Sequence, residues 1–324
     1  MDIIESIADF ESFPPGWALT IGNFDGVHLG HQQIITLAAD NRKQRNLPGL
    51  ALMTFHPHPL AVLHPRHAPE ILTPMPLKRH LLRTAGIDRL ILIKDTFSLL
   101  NLSPKDFIDE FLVRSIKPAL VVEGPDFKFG YGRSGDIDAL RRFGALRDFD
   151  VVIAPPKQIS LASGDTKICS SSAIRDLLRS GEVSSAYAML GRNYRLIGTT
   201  IPGRGIGRQL GFPTANIEPL EQMVPAEGVY AGLVAIADDP DSAAAQTKSK
   251  PAAFSIGRAK TFLSDHPLLI EAHILNENLP DLTGKWLAMD FVQRIRPQQR
   301  FDSRQALQQQ ITADCRAAAQ ILEA

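Results

Sequence analysis

The stretch Thr20-Ile-Gly-Asn-Phe-Asp-Gly-Val-His-Leu-Gly-His31 constrains this chain more than any other. Apolar Trp17 to Ile21 reads as a short buried strand. Gly22 and Gly26 supply the backbone freedom of a tight turn, with Asn23, Phe24 and Asp25 inside it. His28 and His31 follow at a spacing of three, with Gly30 between them. A helix that begins near Gly30 sets its free N–H groups and positive dipole end beside two imidazoles, a place for an anion. Two other readings stand beside phosphate binding. The histidines could be half of a metal site, but zinc takes three or four ligands, and no cysteine or second ordered His pair is suitably placed. An ordinary βα turn with two partly exposed histidines would leave the crowding of glycines, Asn23, Asp25 and both histidines unexplained.

The 324 residues suffice for two domains with separate cores. Lys plus Arg equals Asp plus Glu at 35 each, so no net charge points to nucleic acid, and small phosphorylated ligands suit local Arg and Lys clusters better. Cys169 and Cys315 lie far apart, which fits a reducing cytoplasm rather than a disulfide framework. Met-Asp-Ile-Ile-Glu opens the chain without the features of a signal peptide, and no apolar run approaches the ~20 residues that span a bilayer. A cytoplasmic location is expected, with no nucleic-acid, membrane or obligate protein partner evident.

Downstream of the turn, apolar runs alternate with amphipathic segments. Helices are expected over Gln32–Asn46, Pro76–Ala85 and from Pro104, the last behind a Ser103 cap; strands are expected over Leu50–Phe55, Arg89–Ile93 and Leu120–Val122. This alternation implies βαβ crossovers and a parallel sheet. His56-Pro57-His58-Pro59 forms a rigid loop at a strand's C-terminal end, where ligands bind in open parallel sheets, although on the residues alone a surface loop with two solvent histidines is the better reading. Gly124-Pro-Asp-Phe-Lys-Phe-Gly-Tyr-Gly-Arg-Ser-Gly-Asp136 is a glycine-rich loop that carries Asp126, Lys128 and Arg133, either as ligands or as solvated charges. Ser170, Ser171 and Ser172 begin a helix with Arg175 one turn inside. One serine serves as an N-cap, and three exceed what a cap requires. Leu178 to Leu190 reads as the helix that closes this half.

From Gly191 the texture changes to short strands, expected at Tyr194–Thr200, Val229–Ala237, Ala252–Ile256, Leu268–Ile274 and Trp286–Ile295. Their spacing implies a small antiparallel barrel. Residues Asp238 to Lys250 read as a solvent loop. Ser303 caps a last helix whose Leu307, Ile311, Cys315, Ala318 and Leu322 form one stripe, suited to lying across the barrel. The motif here is Gly203-Arg-Gly-Ile-Gly-Arg-Gln-Leu-Gly-Phe-Pro-Thr-Ala-Asn-Ile217. Gly203, Gly207 and Gly211 with Arg204 and Arg208 could form a flap over phosphates. Thr214 and Asn216 point the same way if extended, and their oxygens suit hard Mg²⁺.

Gly-Asn-Phe-Asp-Gly-Val-His-Leu-Gly-His closely resembles the motif of the bacterial bifunctional riboflavin kinase/FAD synthetase family, and Gly-Arg-Gln-Leu-Gly-Phe-Pro-Thr-Ala-Asn resembles its riboflavin kinase motif. The Thr54–Pro59, Gly124–Asp136 and Ser170–Arg175 segments match family segments in the same order, from about Thr20 to Asp314. The resemblance implies an α/β chain. Residues 1–190 would form a parallel-sheet, Rossmann-like nucleotidyltransferase domain, and residues 191–324 a small antiparallel β-barrel with a C-terminal helix. It implies that the barrel converts riboflavin and ATP to FMN with Mg²⁺, and that the first domain transfers AMP from ATP to FMN, giving FAD. His28, His31, Gly22–Gly26, Gly30, Ser170–Ser172 and Arg175 would then hold ATP phosphates. Asp126, Phe127 and Lys128 would hold flavin or nucleotide. Thr214 and Asn216 would hold the metal, and Glu271 would be the base. On pattern alone, a lone Glu on a strand such as Glu271 is most often just a solvent-facing residue. Ser255 and Lys260 stand where the family commonly has Asn and Pro, and Thr283 where it has Tyr. Those departures leave two alternatives: an FAD synthetase with a degenerate kinase domain, or a flavin-sensing binding protein.

Overall fold

The computed structural model describes residues 1–5, 13–94, 96–162, 164–203, 206–258, 268–277 and 281–323. They pack as two compact units, one formed by 1–69 and 81–158, the other by 70–80 and 159–324. In the first unit six strands form one sheet: β1 (Asp2–Ile4), β2 (Ala18–Ile21), β3 (Leu50–Phe55), β4 (Arg89–Ile93), β5 (Leu120–Glu123) and β6 (Asp150–Ile153). The order is β1-β4-β3-β2-β5-β6, with every pairing parallel, as the apolar alternation predicts. Both faces are covered, so successive residues of one strand enter two different cores. Leu19, Ile21, Ala51, Met53, Ile91 and Val121 pack on one side, and Ala18, Leu50, Leu52, Leu90, Leu120 and Val122 on the other. Strand order reverses between β2 and β5. In open parallel sheets such a reversal is where ligands bind, past the carboxyl ends of the two strands.

The Ser103 cap is present, its hydroxyl accepting from Asp106 N–H at 3.1 Å, and the following helix runs as a π-helix over Phe107–Ile116. Residues 124–136 are more ordered than a plain loop. Lys128–Phe129 pairs with Gly135–Asp136, and the Asp136 carboxylate caps helix Ile137–Leu146 at 2.9 Å.

The second unit is built on a closed, wholly antiparallel barrel. Its strands are β7 (Tyr194–Ile201), β8 (Ala215–Pro219), β9 (Gly228–Ala237), β10 (Lys250–Arg258), β11 (Leu268–Ile274) and β12 (Trp286–Arg296), ordered β7-β8-β11-β10-β9-β12. β8 is absent from the sequence expectations, because Ala-Asn-Ile-Glu-Pro carries little β-branched or aromatic content. The expected solvent loop after Ala237 contains a short helix, Pro240–Ala245, nucleated by the Asp239 cap on Ser242 N–H at 2.8 Å. The expected helix from Leu178 to Leu190 is two helices, Ser171–Ser180 and Val183–Leu190, broken where Gly181 takes φ +81°. The last helix, Arg304–Glu323, is capped by Ser303 at 3.1 Å. Its far half packs Ala318 and Leu322 against Ala231, Ala253 and Leu275 of the barrel side.

Helices Ser171–Ser180 and Val183–Leu190 are bound into this second unit. Ala226 N–H donates to Leu178 O at 2.9 Å, Arg294 Nη1 to Ser180 O at 3.1 Å, and Ser184 Oγ to Val292 O at 3.1 Å. Met223 N–H and Gln222 Nε2 are held by Ile71 O and Leu72 O at 2.8 and 3.0 Å. A fragment that begins at Ile159 should therefore melt at a higher temperature than one that begins at Gly191. Three lost hydrogen bonds alone cost about 2–4 kcal/mol. Thermal unfolding followed by circular dichroism makes the comparison, and equal midpoints would show that these helices do not support the barrel.

Candidate active sites

The turn after β2 is pinned at both ends. Gly22 N–H donates to Met53 O at 2.9 Å, and Thr54 Oγ1 donates to Asn23 O at 3.1 Å. Between them Phe24, Gly26 and Val27 all take positive φ, at +46°, +88° and +39°. For a β-branched residue that conformation is strained, and the nearly complete burial of Phe24 and Val27 is what holds it. Asp25 is buried inside the same turn.

The chain then enters helix Leu29–Gln44, with Gly30 in its first turn and His28 as the N-cap. His28 Nδ1 accepts from His31 N–H at 3.3 Å, so the neutral ring carries its proton on Nε2. The His28 and His31 rings stack 3.6 Å apart, with their planes within 19°. Two imidazoles thus stand together at a helix N-terminus, the arrangement an anion requires. His58 joins them. Its Nδ1 accepts from Leu60 N–H at 3.1 Å, which leaves the proton on Nε2, 3.0 Å from the Asn23 amide. The Asn23 atom at that distance is the amide nitrogen Nδ2.

Sequence reasoning passed over Glu123. This residue ends β5 at the switch point and is 3% exposed. Its Oε1 accepts from Ile21 N–H at 2.5 Å, with Thr20 Oγ1 at 3.4 Å. Regular pairing of β2 with β5 covers only Ala18–Leu120 and Leu19–Val121, so the carboxyl takes over where the ladder stops. Burial drives its pKa well above the usual carboxylate range, against the smaller opposing pull of the Ile21 and Thr20 hydrogen bonds. The signal was a lone Glu closing the apolar run Leu-Val-Val before Gly124.

Asp126 and Lys128 are exposed on the 124–136 hairpin, and Phe127 stacks on buried Phe129 at 5.7 Å. Ser170, Ser171, Ser172 and Arg175 pack in the second unit. Ser170 is the helix cap, accepting from Ala173 N–H at 3.2 Å. Ser172 is exposed, whereas Arg175 is buried and donates through Nε to Glu70 O at 2.7 Å.

In the barrel, register brings the expected residues together. Asn216 lies opposite Glu271, and Glu271 opposite Ser255, so three adjacent strands present one row of polar side chains. Two cavities of about 260 and 290 Å³ meet at Thr214. The first takes in Gly203, Asn216, Asp281 and Thr283; the second takes in Gly207, Ser255, Glu271, His273 and Gln298. Leu307, Ile311 and Cys315 of the last helix also line the second, so the near half of the predicted stripe roofs a cavity. Two glycines are there because backbone runs against the site. A Cβ on Gly203 would fall 1.9 Å from Asn216 Nδ2, and one on Gly207 would fall 2.4 Å from Phe212 O and 3.1 Å from Thr214 Oγ1. Gly211 takes φ +88°.

His273 donates from Nδ1 to Pro213 O at 2.8 Å, which steadies the approach to Thr214. Arg296 and Asp314, both largely buried, form a bidentate pair with contacts of 2.9 and 2.7 Å that ties β12 to the last helix. Burial, with the Asp314 charge adding to it, pushes the neighbouring Cys315 thiol up to about 11, so that group is an inert wall rather than a nucleophile. Thr283 Oγ1 donates to Asp281 at 2.7 Å within its own turn. Arg204, Lys260 and the Arg208 side chain lie outside the described residues.

A switch-point turn that gathers imidazoles at a helix N-terminus, and a barrel with a carboxylate in one of two cavities that meet at Thr214, fit a two-domain, nucleotide-dependent transferase. Family models for FAD synthetase and riboflavin kinase match residues 11–172 and 190–322. The chain is 31% identical over 316 residues to the bifunctional riboflavin kinase/FMN adenylyltransferase of Escherichia coli (strain K12), covering 97% of this chain and 96% of that protein. It is 32% identical over 320 residues to the same-named protein of Pseudomonas fluorescens, covering 98% and 97%. A crystal structure of a macrolide-efflux protein from Streptococcus pneumoniae superposes with a TM-score of 0.83 at 26% identity, over 98% of this chain and 99% of that one. The chain belongs to the bifunctional riboflavin kinase/FMN adenylyltransferase family. Among the described residues no helix is long and apolar enough to cross a membrane.

Two expectations follow from this geometry. Glu123 holds its proton in the fold at a pH where the unfolded chain has released it. Its contribution to stability is full below about 4.5, the ordinary value, and is lost as pH rises toward the raised folded value. Denaturant unfolding from about pH 5 to 8 should therefore show Glu123→Gln gaining stability relative to the unmodified protein as pH rises; a constant difference would mean that Glu123 titrates as an exposed carboxyl does. Gly203→Ala should lower barrel-dependent phosphoryl transfer by displacing Asn216, while adenylyl transfer proceeds at its former rate. Separate assays of the two steps decide this.

Proposed function

We propose that this chain makes FAD from riboflavin in two ATP-dependent steps, with the functional division at 1–190 and 191–324. The observation that carries the kinase half is the Asn216–Glu271–Ser255 row beside two cavities that meet at Thr214. In the second domain riboflavin occupies the cavity of Glu271, and ATP the cavity of Asn216. Glu271 accepts the proton of the ribityl 5′-hydroxyl as its oxygen attacks the ATP γ-phosphorus, giving FMN and ADP. Thr214 and Asn216 fit a Mg²⁺ ion. Their donors are oxygens, and the space that a Cβ on Gly203 would take is left to the Asn216 amide. When bound, the ion neutralises charge on the ATP phosphates.

In the first domain the FMN phosphate attacks the ATP α-phosphorus and pyrophosphate leaves. His28 and His31, at the helix N-terminus, stabilise the charge that gathers on the phosphates, and no side-chain nucleophile takes part. Gly22 to Gly26 and Gly30 bring backbone close to those phosphates. Ser170, Ser171, Ser172 and Arg175 are proposed as further ATP ligands, and Asp126, Phe127 and Lys128 as flavin or nucleotide contacts. Gly203, Arg204, Gly207, Arg208 and Gly211 are proposed as the kinase flap. The substrates are small molecules, and the expected compartment is the cytoplasm.

Purified protein with riboflavin, ATP and Mg²⁺ should yield FMN and then FAD by chromatography. Glu271→Gln should slow riboflavin-to-FMN conversion about 10²–10⁴-fold, the usual worth of a positioned base, and leave FMN-to-FAD conversion unchanged. His28→Ala and His31→Ala should do the reverse. Unmodified protein that makes FAD from added FMN but no FMN from riboflavin would identify a degenerate kinase domain. Turnover of neither substrate would identify a flavin-binding protein.

A further inference from the structure

We propose that Gln298 is a positioning residue for riboflavin phosphorylation: it turns the Ser255 hydroxyl so that its hydrogen is donated into the cavity shared with Glu271. This rests on the kinase reading above and adds to it a residue outside every motif used so far.

Gln298 Nε2 lies 3.0 Å from Ser255 Oγ and 3.0 Å from Ile256 O. The carbonyl can only accept, so the amide nitrogen, not its oxygen, must face this pair. Both amide hydrogens are then committed, one to each acceptor. Ser255 Oγ therefore receives a hydrogen bond from Gln298 and keeps its own hydrogen to give elsewhere. Ser255 stands directly across the strand pair from Glu271, and all three side chains line the same cavity of about 290 Å³. Thr214 and Asp314 also line this cavity, but the carboxylate paired directly across from Ser255 is that of Glu271, and it and the oxygens of a bound substrate are the acceptors proposed for that hydrogen.

Room for the arrangement is made by Gly257. A Cβ there would sit 3.0 Å from Gln298 Nε2 and 3.1 Å from its Cδ and Cγ, closer than side chains ordinarily pack. Gln298 follows β12 directly after Arg296-Pro297, and Arg296 is locked to Asp314. The amide is thus delivered from a rigid strand end and received by a glycine. A serine hydroxyl that could rotate among several directions acquires one, and a short side chain gains a defined role beside the base.

A double-mutant cycle on the full chain separates this role from mere packing. Riboflavin phosphorylation is measured as kcat and KM for Gln298→Leu, Ser255→Ala and both together, with FMN adenylylation in the same preparations as the measure of folding. Each single change should lower kcat about three- to tenfold, with a smaller effect on the riboflavin KM. The double variant should be no slower than Ser255→Ala, because Gln298 acts through that hydroxyl. Gln298→Glu should lower kcat as Leu does, since a carboxylate draws the serine hydrogen toward itself. Gly257→Ala should give the same loss by displacing the amide without touching it chemically, and it keeps the question answerable if Gln298→Leu folds poorly. Multiplicative losses in the double variant, or full kcat in Gln298→Leu, would overturn the proposal. No riboflavin phosphorylation by unmodified protein would instead overturn the kinase reading on which it rests.

Discussion

Both sites stand where a backbone ladder gives way, and the rest of the molecule is arranged to hold those places. β2 and β5 pair regularly over Ala18–Leu120 and Leu19–Val121 only; beyond that the Glu123 carboxyl meets Ile21 N–H. The strands part there because strand order reverses, and a side chain replaces the missing backbone acceptor. In the barrel β8 and β11 pair over Ala215–Ala272 and Asn216–Glu271. Thr214 lies just outside that ladder, at the meeting of two cavities. Neither arrangement would survive a one-residue slip of register, which would turn Glu271 and Ser255 to the opposite face of the barrel wall.

Tautomers and proton positions in these sites are set by backbone partners. His28 Nδ1 caps a helix, His58 Nδ1 accepts from Leu60 N–H, and His273 Nδ1 gives its hydrogen to Pro213 O. A backbone N–H or C=O has a fixed role as donor or acceptor, so each contact decides which ring nitrogen keeps the proton. The same logic orients the Gln298 amide through Ile256 O. On the proposed reading, charge moving between phosphates would meet donors whose directions are set before substrate arrives.

Close backbone approach is the other shared device. Gly203 and Gly207 bring main chain against Asn216 and Thr214, and Gly257 receives Gln298. Gly26 and Gly211 do something different: their φ values of +88° are what the turns need. The glycine-rich motif in the second half thus combines two physical requirements that look alike in a sequence.

By itself the sequence determined the class of fold and most of the motif residues. Apolar runs alternating with amphipathic segments specify a parallel sheet, evenly spaced short strands specify a barrel, and Ser103, Ser170 and Ser303 mark helix starts, because each pattern is written within a few neighbouring residues. The His28–His31 turn is equally local. Tertiary structure alone decided that β8 is a strand, since its own composition is weak and pairing with β7 and β11 supplies the stability. It alone placed residues 70–80 with the second unit. It also joined Glu123 to Thr20 across 103 positions, and Gln298 to Ser255 across 43. No periodicity encodes such pairs. A lone Glu at a strand end or a lone Gln after a proline looks like any surface residue until topology and burial bring its partner within hydrogen-bonding distance and remove the water that would otherwise satisfy it.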